Sequence, residues 1–220
     1  MCFDINNLNI KKLNFRKVKN AIHLSLSGDK YQFLEDGKTI NNTYFLAVYD
    51  NAINIFEDLF SPSDSINLVH VVYVYNEPYK KTNVIRKFTS LTIDELYYFK
   101  EYKKEKDDNI LCEEFSYKCS IKDIKYKKLL KAISNQDFKG LVPNINQNDN
   151  YSEIYIINNT KNVIYHLYDD RGLWLAFNNN EDYARYSEKY NDLISEFDNE
   201  DIYFFNIRSY YFFTCFMFIF

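Results

Sequence analysis

Between Thr43 and Phe60 apolar side chains return every three or four positions. Phe45, Val48, Tyr49, Ala52, Ile53, Phe56, Leu59 and Phe60 share one stripe, while Asp50, Asn54, Glu57 and Asp58 take the other faces. That spacing predicts an amphipathic helix, and Ser61-Pro62 ends it because proline breaks the hydrogen-bond ladder. The next run, Ile66 to Tyr75, carries β-branched and aromatic residues without alternation, the pattern of a strand covered on both faces. His70 lies inside that run and is read as a hydrogen-bonded core residue. Ahead of the helix, "AIHLSLSG" predicts a first strand ending at Gly28, and Asp36-Gly37 marks a further turn.

A second helix is predicted over 93–105, starting from Thr92 with Asp94 and Glu95 near its positive end. "EFSYKCS" then sets Phe115, Tyr117 and Cys119 against Ser116, Lys118 and Ser120, a half-buried strand. Asp123 is placed to cap a third helix that turns Tyr126, Leu129, Leu130 and Ile133 inward. Beyond the polar link 143–150, "EIYIIN" and "NVIYHLY" predict two strands joined through Asn159-Thr160-Lys161, with Asn159 suited to a left-handed turn position. "LWLAF" is a third strand, and Asn178 to Asn180 can cap a final helix with Tyr183, Tyr186, Tyr190, Leu193 and Phe197 inward. The expected fold class is α+β, with a mixed or antiparallel sheet, three to four packing helices and a C-terminal hairpin–strand–helix unit. Its expected parts are a lead-in with the first strand (1–40), an N-terminal α/β half (41–142), a C-terminal βββα half (151–201) and an apolar tail (202–220), together one compact domain.

Charge narrows the function. The 220 residues carry 27 basic and 31 acidic side chains, a net charge of -4, whereas a general nucleic-acid binder needs a strong positive field. The lysines of 100–131 are interleaved with Glu101, Glu105, Asp107, Asp108, Glu113, Glu114 and Asp123, which reads as a solvated mixed-charge surface. Cys2, Cys112, Cys119 and Cys215 form no CxxC pair and have no histidine at a zinc spacing, so neither a metal nor a cofactor is expected. The polar start "MCFDINNLNIKKLNF" lacks the apolar core of a signal peptide, and a cytoplasmic protein with reduced thiols is expected. The closing "SYYFFTCFMFIF" is uncharged but shorter than the roughly twenty apolar residues of a membrane span. It reads as a buried terminal element, a strip covered by a partner or a second copy, or an unselected extension; oligomerisation through it stays open.

The stretch "YHLYDDRGLWLAF" gathers the candidate chemistry. Two strands joined by so few residues need a turn, which Asp169 can make by bonding N–H groups ahead of it and Gly172 by adopting a positive φ. Asp170 and Arg171 are less constrained and are expected to project at the tip as partner-binding groups. A hydrolase would use His166 with Asp169 or Asp170, which requires a cleft and two different carboxylate environments. His166 shares a strand face with Ile164 and Tyr168 and is expected to be packed. No phosphate loop, HExxH, GxSxG or kinase set is present, so no catalytic residue is assigned. Glu188, Asp192 and Glu196 fall at i, i+4 and i+8, one helix face whose like charges repel, and read either as a solvated face or as a docking surface for a basic partner.

"KLLKAISNQDF", "IYIINNTKNVIYHLYDDRGLWLAF" and "YSEKYNDLISEFD" resemble the uncharacterised bacterial family called domain of unknown function 3885. "YFLAVYDNAINIFEDLF" is similar to that family's N-terminal helix, and the tail departs from its pattern. The resemblance implies one fold over roughly residues 40–200 and no particular activity. The functional expectation is a non-catalytic protein-binding module, in its concrete form an immunity-type protein that neutralises a basic toxin through Asp170, Arg171 and the acids of the last helix.

Overall fold

In a computed structural model, the structure describes residue 10 and residues 13–74, 84–90, 96–105, 108–146 and 151–195. The described chain folds as β1 (Ala21–Ser25), α1 (Asn42–Leu59), β2 (Ser65–Val74), β3 (Leu96–Glu105), β4 (Asp108–Ser120), α2 (Tyr126–Ser134), β5 (Tyr151–Asn158), β6 (Val163–Leu167), β7 (Gly172–Phe177) and α3 (Asn180–Lys189). The strands form one seven-stranded sheet in the order β1-β7-β6-β5-β2-β4-β3, and every neighbouring pair is antiparallel. The α+β class, the three helices and the C-terminal hairpin–strand–helix unit are all present. β2 sits between β4 and β5, and β1 joins the far edge through β7, so strands from both ends of the chain share one sheet.

The uniform apolarity of β2 has the cause expected of it, because both faces of the strand are covered. Ile66, Leu68, Val72 and Val74 enter the core beneath α1 and α2, while Val69 and Val71 enter a second cluster on the opposite face. α1 starts where the Asn41 side chain accepts the Thr43 N–H at 3.1 Å, and it ends at Leu59 before Ser61-Pro62. It buries Tyr44, Phe45, Val48, Ala52, Ile55, Phe56 and Leu59. At roughly 1.5–3 kcal/mol for each large side chain removed from water, this one stripe outweighs any single hydrogen bond in the fold. Tyr165 of β6 pins the helix to the sheet by donating its hydroxyl to the Ala52 carbonyl at 2.8 Å.

Four local expectations are corrected. Residues 96–105 are a strand, not part of a helix over 93–105: all ten pair with β4, from Leu96 opposite Tyr117 to Glu105 opposite Asp108. The long partner strand decides this, since "LYYF" suits a pleated surface as well as a helix. Asp123 does not cap α2; it lies in the 3-10 turn before it and accepts the Ser120 N–H at 3.0 Å. In the β5–β6 hairpin the left-handed residue is Asn162, with φ 55°, not Asn159. The last helix stops at Lys189, so Tyr190 and Leu193 pack from beyond its end, and Phe197 lies outside the described residues.

His70, fully buried, makes its side-chain hydrogen bond to the Ser152 hydroxyl at 3.2 Å. Burial pushes its pKa down to about 3. Unfolding restores the ordinary value near 6.5, so below that pH the unfolded chain binds one more proton at this position than the folded chain. The stability this histidine contributes is therefore complete above about pH 6.5 and falls by about 1.4 kcal/mol per pH unit as the medium is acidified toward pH 3. In urea unfolding at pH 7 and pH 5, His70→Phe is expected to show a smaller loss on acidification than the parent chain. An equal loss would mean that the ring does not titrate on unfolding.

Candidate functional site

The Asp-Asp-Arg-Gly corner is built by three parts of the chain. The β6–β7 turn closes with the Tyr168 N–H on the Gly172 carbonyl at 3.3 Å. Asp169 shapes it as expected, accepting the Arg171 N–H at 2.7 Å through Oδ1. Its Oδ2 takes the Arg171 Nε at 2.8 Å and also Nη2, so the guanidinium folds back over its own turn. Asp169 is buried, whereas the Arg171 side chain remains half exposed. Burial works against the guanidinium charge, but the Asp169 carboxylate outweighs it and holds Arg171 above its ordinary pKa.

Asp170 does not project at the tip. Its exposure is 0%, and it points inward beneath the start of α1. Oδ2 accepts the Tyr44 hydroxyl at 2.7 Å and the Gln32 Nε2 at 2.5 Å. Tyr44 lies in the first turn of α1, whose positive end favours a negative charge. Gln32 is held in the loop before α1 by the Asn41 N–H on its carbonyl at 2.9 Å. Burial first, and then the charge of Asp169, push Asp170 up to about 6. Its Oδ1 has no hydrogen-bond partner among the described residues.

The third part is the end of α2. Gln136, buried, donates Nε2 to the Tyr168 carbonyl, while its Oε1 also lacks a partner among the described residues. Asp137, exposed, brings a carboxylate oxygen within 4.8 Å of those of Asp169 and Asp170. Although the residue opens to solvent, partial desolvation of its carboxylate by the surrounding chain, and then the charge of Asp169, raise the Asp137 pKa. Reading the sequence missed Gln32, Tyr44, Gln136 and Asp137, which stand 32 or more positions from their partners in the turn. In the resemblance to the family, "NQDF" and the opening tyrosine of "YFLAVYDNAINIFEDLF" touched this cluster without revealing it.

Gly172 is required for a different reason from the one expected. It does not adopt a positive φ; a Cβ there would overlap the Tyr168 hydroxyl and stand 2.8 Å from the Leu24 carbonyl of β1. His166 is packed, as expected: it lies against the rings of Tyr155 (4.1 Å between centroids) and Phe15 (5.4 Å), with Nδ1 3.0 Å from the Ile154 carbonyl. Burial holds its pKa below the ordinary value. Because Tyr165 faces α1, the next residue faces away from it, which puts the imidazole and the Asp170 carboxylate on opposite sides of the sheet.

The other candidate acids are elsewhere. Glu188, exposed, is near the end of α3, and Asp192, also exposed, lies in the 3-10 turn Asn191–Leu193 beyond it. They therefore do not continue one helix face, and Glu196 lies outside the described residues. The helix stops because the chain turns toward β1, where the Ser195 N–H reaches the His23 carbonyl at 3.0 Å. Cys112 is a buried thiol and Cys119 a half-buried one.

The model of the family described as "Domain of unknown function (DUF3885)" matches residues 4–198. The chain belongs to that family. It is similar to the Bacillus subtilis (strain 168) protein described as "Uncharacterized protein YnaE", with 28% identity over 190 residues that cover 80% of this chain and 86% of that protein. No solved structure matches it. The family match spans the turn, the start of α1 and the end of α2, so all three parts of the corner lie within the family's own extent.

Gly172→Ala is expected to destabilise the chain by about 1–3 kcal/mol, the usual cost of forcing atoms into a packed site. Gly140→Ala, where nothing lies within 4 Å of the added carbon, is expected to leave stability unchanged. Paired denaturant titrations compare the two.

Proposed function

We propose that this member of the family is a non-catalytic protein-binding module. The observation that carries the reading is the loop between β1 and α1, which exposes Tyr31 (81%), Leu34 (49%) and Phe33 (38%) along the rim of a shallow groove of about 410 Å³. Single exposed apolar residues are ordinary on any surface, whereas several within four positions mark a contact surface.

The loop is held in shape. Asp36 Oδ1 accepts the Lys38 and Thr39 N–H groups at 2.9 and 2.8 Å, and the Leu34 N–H bonds the Thr39 carbonyl at 2.9 Å. The Phe33 ring rests 5.8 Å from that of Phe138. A surface already ordered loses little freedom when a partner docks.

The partner that fits best is a basic protein, as an immunity-type role toward a toxin would require. The net charge of -4 favours such an encounter, and Glu188 and Asp192 are exposed to contribute to it. They adjoin the end of α1, through Lys189 on Asp58, whereas the apolar loop adjoins its start, through Asn41 on the Tyr31 carbonyl. The two places are about 27 Å apart along the helix, so the acids act by steering and the loop by contact. The hydrolase reading, with His166 and Asp169 or Asp170, has less support, since the His166 ring is buried among aromatic side chains and Asp170 faces the other side of the sheet.

A photo-crosslinking residue at position 31 identifies the partner in the producing cell, and titration with the purified partner then measures binding. Tyr31→Ser with Leu34→Ser is expected to weaken affinity at least about tenfold, the equivalent of 1.4 kcal/mol, with unchanged melting. Glu188→Lys with Asp192→Lys is expected to slow association and flatten its salt dependence. Unchanged affinity and unchanged association in both pairs would reject the proposal.

A further inference from the structure

The corner that fastens the β6–β7 turn to α1 and α2 has an unbalanced donor set. Asp137, Asp169 and Asp170 bring carboxylate oxygens within 4.8 Å of one another. One guanidinium, that of Arg171, pairs with them through Asp169. Among the described residues these three carboxylates meet that one guanidinium, and two of the three acids are buried. Like charges this close and this poorly hydrated repel strongly unless a cation stands among them.

Two further atoms, both outside the carboxylate–guanidinium pairing, point to a ligand. Asp170 spends Oδ2 on Tyr44 and Gln32, yet its Oδ1 is buried without a hydrogen-bond partner among the described residues. The Gln136 amide is anchored by Nε2 to the carbonyl of Tyr168, the residue just before the two acids, and its Oε1 is likewise buried without a partner there. A buried acceptor left unpaired costs about 1–3 kcal/mol, and more when it is charged. Asp170 belongs to the carboxylate cluster itself, and Gln136 precedes Asp137 in the chain and is tied to the residue before Asp169, so both unpaired oxygens are on the segments that build the corner.

We infer that this corner binds one hard divalent cation through Asp137, Asp169 and Asp170, with the Gln136 amide oxygen beside them. The donors are all oxygen, the preference of calcium, magnesium and manganese, whereas zinc and copper favour nitrogen and sulfur. His166, the nearest imidazole in sequence, faces the other side of the sheet. Oxygens at about 2.4 Å from a calcium ion stand at most about 4.8 Å apart, so the cluster is no wider than one coordination sphere. Asp169 binds the ion with the lone pairs that Arg171 leaves, Asp170 with its unpaired Oδ1. Exposed Asp137 forms the mouth, where the ion enters and water completes the shell. This assignment is independent of the protein-binding reading.

The test uses the full chain, stripped with chelator and dialysed, with Mn²⁺ binding followed by paramagnetic resonance. Melting is recorded with Ca²⁺, Mg²⁺, Mn²⁺ and, as a soft control, Zn²⁺. One saturable Mn²⁺ site per chain is expected, displaced by Ca²⁺ or Mg²⁺, with a higher melting temperature when it is filled. Asp137→Asn, at an exposed position that spares the core, is expected to weaken binding at least about tenfold and, because it removes one of the repelling charges, not to lower the metal-free melting temperature. Asp182→Asn, an acid on α3, is expected to bind like the parent chain. No saturable binding by about 10 mM, above the weak end of protein calcium sites, overturns the assignment. So does equal binding by Asp137→Asn, or stabilisation by Zn²⁺ alone.

Discussion

A carboxylate shut away from water must be answered by the protein around it, and the placement of Asp170 is the constraint on which this corner depends. Its side chain turns inward, so the start of α1 must present the Tyr44 hydroxyl, and the loop ahead of it must carry Gln32 to the same oxygen. Asn41 serves both demands: its backbone and side chain hold the loop, and its side-chain oxygen opens the helix. The exposed aromatic loop thus owes its position to a charge buried behind it.

The second constraint is the sheet. β1 reaches the edge only by lying against β7, and the approach is close enough that position 172 tolerates no side chain. On the helix face Tyr165 and the α1 stripe fix the distance between layers. On the opposite face Phe15 stacks near Tyr155, His166 and Trp174 at 5.4–6.5 Å between ring centroids, so the segment before β1 helps to cover the sheet. The His166 ring is buried within this second layer.

Much of this was legible along the chain. α1, β2, the β5–β6 hairpin and β7 carry strong periodicity or composition, and their residues pack as that pattern demands. The segment 93–105 was not, because Tyr97, Tyr98, Phe99 and Tyr102 satisfy either period and Asp94-Glu95 imitates a helix start; only ten paired residues on β4 resolve it. At the corner, the turn-forming role of Asp169 follows from local chemistry. The inward turn of Asp170 does not, since its partners Tyr44 and Gln32 lie 126 and 138 positions away. Gly172 was singled out for its backbone, yet what it supplies is room for the neighbouring strand.

The link among Gln32, Tyr44 and Asp170 also bears on how relatives diverge. Residues that share one buried carboxylate are selected as a set: replacing the acid strands a hydroxyl and an amide, and replacing either of those strands the acid. Drift at these three positions is therefore expected to be concerted, so that a lineage which abandons the aspartate rewrites the opening of its long helix as well.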